Sequence, residues 1–145
     1  MGRTVQVEST GRGFEQRIVA GPHALAADEP ASVGGGDAGP NPYDLLLAAL
    51  GACTSMTLGM YARRKGWQLE KVIVRLSQER IHAEDCRACE SKAGMVDRIE
   101  REVEVVGPLS EEQRQRLLEI AEKCPVHRTL VGESEIVTRL APARP

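Results

Sequence analysis

Asn41-Pro42-Tyr43-Asp44-Leu45-Leu46-Leu47-Ala48-Ala49-Leu50-Gly51-Ala52-Cys53-Thr54-Ser55-Met56-Thr57 begins polar, turns wholly apolar, and carries a single thiol in its middle. Asn41 reads as an N-cap and Pro42 as the first helical residue. Proline's missing N–H is one of the donors left over at a helix start, and its fixed φ already suits a helix. The helix is expected to run to about Arg64 and stop at Gly66, with Arg63, Arg64 and Lys65 in the last turn, where positive charge complements the dipole. Leu45 to Ala52 offers no polar stripe. Most sides of this helix should therefore be covered, by the rest of the chain or by a second copy of it.

On the N-terminal side, Val5 and Val7 alternate with polar residues, Gly11-Arg12-Gly13 marks a turn, and Phe14 to Ala20 reads as a second short strand. Gly21-Pro22 turns the chain again and His23 to Asp28 reads as a third, which completes an antiparallel meander. Glu29 to Pro40 is rich in Gly, Ala and Pro around Gly34-Gly35-Gly36 and is expected to be a mobile, functional loop. Beyond Gly66, Val72 to Ile81 and Ile99 to Val105 alternate as strands and are natural hairpin partners, joined through Asp85-Cys86-Arg87-Ala88-Cys89-Glu90. The second strand has an acidic outer face at Glu100, Glu102 and Glu104, read as solvated or paired with Arg75. Ser110 with Gln113 is a capping-box signature opening a helix to about Lys123. Pro125 then ends that helix and can open another. Glu133 to Leu140 is expected to be a last strand, so the class is α+β, in one domain over residues 1–145.

Composition narrows the partners. A net charge of −2 and a pI near 6.0 give no basic surplus of the kind nucleic acid demands. One Phe, two Tyr and one Trp are too few to build a stacking platform for bases. The N-terminus lacks the apolar segment of a secretory signal, and no apolar run approaches the ~20 residues of a membrane span, so no membrane partner and a cytoplasmic location are expected. In that setting four cysteines are reduced, metal-bound or catalytic rather than a disulfide framework.

Two of them stand out. With Pro125 opening a helical turn, Cys124 takes the N-cap, where unpaired N–H groups and the helix dipole favour a thiolate. Cys53 lies more than two turns inside its helix, so only an arginine or histidine from elsewhere would activate it. Bland readings stand beside these: a small apolar core residue for Cys53 and a cap without redox chemistry for Cys124. Met56, Thr57 and Met60 share the Cys53 face, which suits an oily pocket or plain packing. His127, three residues after Cys124, can meet the thiolate on a helical turn or bond a carbonyl. Cys86 and Cys89, with His82 and Asp85 just upstream, are a second candidate. A single C-x-x-C supplies two of the four ligands a structural zinc site wants. His82 and Asp85 can complete it, Cys86 and Cys89 can form a redox disulfide, or the tip carries reduced thiols with no role.

Gly39-Pro40-Asn41-Pro42-Tyr43-Asp44-Leu45-Leu46, Ala48-Ala49-Leu50-Gly51-Ala52-Cys53-Thr54 and Lys123-Cys124-Pro125-Val126-His127-Arg128-Thr129-Leu130 resemble the two cysteine motifs of the OsmC/Ohr family, the osmotically inducible and organic hydroperoxide resistance proteins. The order of elements matches along nearly the whole chain. The resemblance implies an OsmC-like α+β fold: a β-meander, a long buried central helix, a β-hairpin, a second helix and a C-terminal strand in an intertwined homodimer. It also implies a thiol-dependent peroxidase. Cys53 attacks an organic hydroperoxide to give a sulfenic acid, Cys124 condenses with it to a disulfide, and an external dithiol, a lipoyl group or another small thiol, restores both; no cofactor is required. The ranking of the thiols by helix position, with Cys124 the readier thiolate, conflicts with those roles. The family's activating pair is an arginine on the N-terminal strands, best matched by Arg12 with Arg17 as substitute, and a glutamate early in the helix. Here Tyr43 stands at the glutamate's position and Asp44 follows it. Asp44 orients an arginine or simply favours the helix start. The competing function is a non-catalytic ligand- or metal-binding stress protein of the same fold.

Overall fold

The computed structural model describes residues 2–87 and 89–145. Five strands and three helices follow in the order β1 (Val5–Ser9), β2 (Gln16–Ala20), β3 (His23–Ala27), α1 (Pro42–Lys65), β4 (Lys71–His82), β5 (Met95–Val106), α2 (Glu111–Ala121) and α3 (Pro125–Val131). Contacts gather the chain into two compact units, Met1–Ala49 with Leu76–Arg101, and Leu50–Arg75 with Glu102–Pro145.

In the first unit, β1, β2 and β3 form the expected antiparallel meander, with Val5 opposite Ala20, Ser9 opposite Gln16 and Gln16 opposite Ala27. The loop after it departs from the mobile segment expected. Asp28 is buried and its carboxylate gathers the chain around it: Oδ1 accepts the Glu29 N–H at 2.7 Å and Oδ2 the Ala38 N–H at 3.1 Å. The Asp28 N–H donates to Pro40 at 3.1 Å and the Asp37 N–H to Glu29 at 3.0 Å, closing the two ends. The glycines permit this closeness, because a Cβ on Gly35 would collide with the Glu29 carbonyl and one on Gly39 with that of Ala26. Amide bonds from Ala38 and Glu29, with help from Gly36, hold the Asp28 carboxyl below its usual value against the opposing effect of burial.

α1 starts where the sequence puts it. Asn41 Oδ1 accepts the Asp44 N–H at 2.8 Å and Asp44 Oδ2 accepts the Asn41 N–H at 3.1 Å, a reciprocal cap. It ends in a Schellman motif: Trp67 donates to Ala62 at 2.9 Å and Gly66, at φ +72°, to Arg63 at 3.2 Å. One expectation for this helix is corrected: an apolar run does approach the length of a membrane span. Its buried residues form one stripe, Leu50, Thr54, Leu58, Tyr61 and Ala62, while Ala52, Met56 and Met60 lie exposed at the same i, i+4 spacing on another face. At 24 residues and a mean hydropathy of 1.6 over its most apolar window, it is long and apolar enough to cross a membrane by length and composition. Its buried stripe, Leu50 to Ala62, and its basic last turn lie in the second unit.

That unit's core joins Leu58, Tyr61, Val105, Leu117, Ile120 and Ala121, with Trp67, Leu69, Val72, Val103 and Leu109 packed against it. Leu117, Ile120 and Ala121 recur at i, i+3 and i+4, so α2 presents one apolar face. Ser110 accepts the Gln113 N–H at 3.1 Å and Gln113 Oε1 accepts the Ser110 N–H at 2.8 Å, forming the expected capping box. β4 and β5 pair as the expected hairpin. Near its base, Arg75 reaches Glu102 at 3.0 Å and Glu104 at 2.9 Å, while Glu100 pairs with Arg98 on its own strand.

The expected last strand is absent: Glu133 to Leu140 forms no strand among the described residues, and its Ile136 and Leu140 are almost wholly exposed. A strand needs a neighbouring edge to bond to, and a β-branched sequence cannot supply it.

Candidate functional site

Cys124 stands between α2 and α3 as the N-cap of α3, with Pro125 in the first turn as its sequence requires. Its Sγ accepts the His127 backbone N–H at 3.3 Å, the hydrogen bond expected of an N-cap acceptor. The side chain is a fully buried thiol. Facing it is Thr54 of α1, also fully buried, with Oγ1 at 3.9 Å from the sulfur. Thr54 Oγ1 donates to the Leu50 carbonyl at 2.7 Å. In the contact between Thr54 Oγ1 and Cys124 Sγ either atom can be the donor.

Cys53 is the residue before Thr54 on α1, a half-buried thiol. Adjacent Cα atoms are 3.8 Å apart, so the two thiols share one neighbourhood and are near one another. Sequence alone gave Thr54 no role, although it stands inside the cysteine motif. A threonine within an apolar helix that bonds the carbonyl four residues back is the signal that marks such a position.

The remaining candidate residues fall elsewhere. His127 donates its backbone N–H to the Cys124 sulfur, and its ring Nε2 lies 3.1 Å from Glu122 Oε2. Glu122, which the sequence reading passed over, therefore fixes the imidazole. Asp44 is exposed and its carboxylate accepts the Asn41 N–H, which is the helix-start role of the two considered. Arg12 is exposed in the β1–β2 turn, where its N–H donates to Thr10 Oγ1 at 3.2 Å and its carbonyl accepts from Glu15 at 3.1 Å. Among the described residues no ion pair joins Arg12 to Asp44.

Of the alternatives at the hairpin, the structure carries the disulfide. Cys86 and Cys89 are joined as a disulfide, with Cα atoms 5.5 Å apart. A disulfide sulfur offers no thiolate to a metal. Among the described residues no three of His, Cys, Asp and Glu gather as a metal cluster, so His82, at the end of β4, completes no ligand set with them.

Around Tyr61 the electrostatics are also shaped. Arg116 Nε donates to its hydroxyl at 3.1 Å, and Arg64, Lys65 and Arg116 each stand within 5.8 Å of the ring centre. The Arg116 bond and these charges hold the phenol below its usual value, against burial. This is a packing feature of the core rather than part of the thiol site.

Solved structures share this fold. An organic hydroperoxide resistance protein OsmC from Legionella pneumophila is 20% identical with a TM-score of 0.66, covering 91% of this chain and 90% of that one. The organic hydroperoxide resistance protein OhrB of Bacillus subtilis is 22% identical with a TM-score of 0.61, over 91% and 92%. An OsmC-like protein of Mycoplasma pneumoniae is 20% identical with a TM-score of 0.67, over 90% and 86%. No curated protein matches. The family model described as OsmC-like protein matches residues 34–139, a span that takes in both Cys53 and Cys124, and the chain belongs to the OsmC-like family.

Proposed function

We propose that this protein is a thiol-dependent peroxidase that reduces organic hydroperoxides at Cys53 and resolves the product with Cys124. The observation that carries the reading is the pairing of a half-buried Cys53 with a fully buried Cys124 beside the next residue of the same helix turn. Exposure assigns the order. A peroxide reaches the more open thiol first, and the enclosed one waits for the intermediate. This order agrees with the roles implied by the family resemblance. The names of the Legionella and Bacillus relatives, organic hydroperoxide resistance proteins, support the substrate class.

In the first step the Cys53 thiolate attacks the terminal peroxide oxygen; the O–O bond breaks, Cys53 becomes a sulfenic acid and the alkoxide leaves, taking a proton to become an alcohol. Cys124 then attacks the sulfenic sulfur, the Cys53–Cys124 disulfide forms and water leaves. A small dithiol returns two electrons and two protons. By the family resemblance, the cation that activates Cys53 is Arg12, supplied by the other subunit. Asp44, engaged at its helix start, supports α1 rather than that arginine.

The working form is a homodimer in the cytoplasm. Three features support a second copy: exposed Val5, Val7 and Leu25 on the meander, the Ala52, Met56 and Met60 face of α1, and the unpaired Ile136 to Leu140 segment. The test is consumption of tert-butyl hydroperoxide with dihydrolipoamide as reductant. Cys53→Ser is expected to lose turnover. Cys124→Ser is expected to hold a sulfenic acid at Cys53 after one equivalent of peroxide, read by mass spectrometry. Turnover by Cys53→Ser with a sulfenic acid at Cys124 would overturn the roles.

A further inference from the structure

The tip of the β4–β5 hairpin carries a second pair of sulfurs that the peroxide chemistry does not use. Ala83 is fully buried and its N–H donates to Gly94 at 2.9 Å, while the Cys86 N–H donates to Ala83 at 3.1 Å. Cys86 is thereby tied to the hairpin stem. Lys92 Nζ donates to the Cys86 carbonyl at 2.8 Å, which holds an ammonium beside this end of the disulfide. A 490 Å³ cleft opens onto Cys86, lined also by Ile81, Asp85, Arg87, Asp97 and Arg98. Two of its four charged residues are engaged already: Asp97 accepts from Gln78 at 2.7 Å and Arg98 pairs with Glu100 at 2.9 Å. The reachable reactive group in the cleft is the sulfur.

We propose that Cys86–Cys89 is a thiol–disulfide exchange site that takes a small dithiol at Cys86. The thiolate of the dithiol attacks Cys86 Sγ, the Cys86–Cys89 bond breaks, and Cys89 leaves as a thiolate that takes a proton from solvent. The second thiol of the same molecule, its proton passed to solvent, attacks the reductant's own sulfur in the mixed disulfide. Cys86 leaves as a thiolate and is protonated, and the reductant departs as a cyclic disulfide. Two electrons and two protons have moved from the dithiol to the protein. The Lys92 ammonium favours both the approach of the anionic sulfur and the charge left on Cys86.

The spacing selects a dithiol over a monothiol. Cys89 is three residues from Cys86, so after a monothiol attacks it stays beside the mixed disulfide and returns to expel the incomer. Only a second thiol carried on the reductant itself competes with a neighbour at such effective concentration.

The test is differential alkylation of the full, folded chain after exposure to dithiothreitol or to glutathione at equal total thiol. Trypsin cleavage after Arg87 separates Cys86 from Cys89, so each is followed on its own peptide, apart from Cys53 and Cys124. Dithiothreitol is expected to open both cysteines in the folded chain about tenfold faster than glutathione, or more, the margin an intramolecular second step gives. Protection of both until the chain is denatured would make the bond a structural staple and overturn the proposal. So would equal rates for the two reductants.

Discussion

Cys124 and Cys86 both follow a short turn and each has a second cysteine near it, yet their surroundings are opposite. Cys124 is closed in by packed helices, its sulfur held by an amide and faced by a threonine hydroxyl. Cys86 is half-buried at a polar hairpin tip, opens on a cleft, and is already bonded to sulfur. The first site is specified by the core, the second by a few local hydrogen bonds. Damage to packing should therefore reach the first and spare the second.

Leu117→Ala breaks the comparison most directly. Leu117 is fully buried in the core formed by α1, α2 and β5, and its loss should cost about 3 kcal/mol, within the range for such truncations. Denaturant unfolding measures the loss, and the Cys86–Cys89 peptide should keep its exchange rate under folding conditions. A smaller effect is expected from Cys86→Ser with Cys89→Ser. The chain-entropy estimate for so short a loop is about 2 kcal/mol, and because an exposed tip can open without global unfolding the fall in thermal midpoint should be less than that implies. Asp44→Ala removes half of the reciprocal cap on α1 and should cost about 1 kcal/mol by the same measurement. Peroxide turnover at 25 °C should be unchanged, which separates a cap from an activating acid.

The mildest effect is silent at neutral pH. The folded carboxyl of Asp28 titrates below its ordinary value, so its contribution to stability is fully present above about pH 4, the usual aspartate range. It is lost as pH falls through the lowered folded value. Acid should therefore loosen residues 28–40 before the core gives way, seen as faster amide exchange at Ala38 and Glu29. An Asp28→Asn variant should show exchange there that no longer depends on acid.

What the sequence made legible was local. Asn41-Pro42, Gly66, Ser110 with Gln113, and Cys124-Pro125 each encode a helix end through one backbone bond or one fixed torsion, and each end falls where those residues put it. The neighbourhood of Cys53 and Cys124 was legible only through the motif resemblance, since no periodicity brings a residue of α1 to the end of α2. The misses were non-local. Glu133 to Leu140 has strand composition, but pairing is decided by an edge elsewhere. Glu29 to Pro40 reads as mobile from its glycines, while Asp28, one residue before it, supplies the acceptors that order it. The apolar run of α1 conceals which face is covered, because burial of Leu58 and exposure of Met60 depend on neighbours that no hydropathy pattern names.

The edge-on contact of Tyr61 with Trp67, ring centres 5.5 Å apart, also gives the protein an optical reporter. Trp67 is the chain's one tryptophan, so its emission comes from a single place. Tyr61 passes excitation to it across a distance at which transfer is efficient, and Arg116 ties the donor ring to α2. Any event that unwinds the end of α1 and parts Tyr61 from Trp67 should restore tyrosine emission, with no label attached.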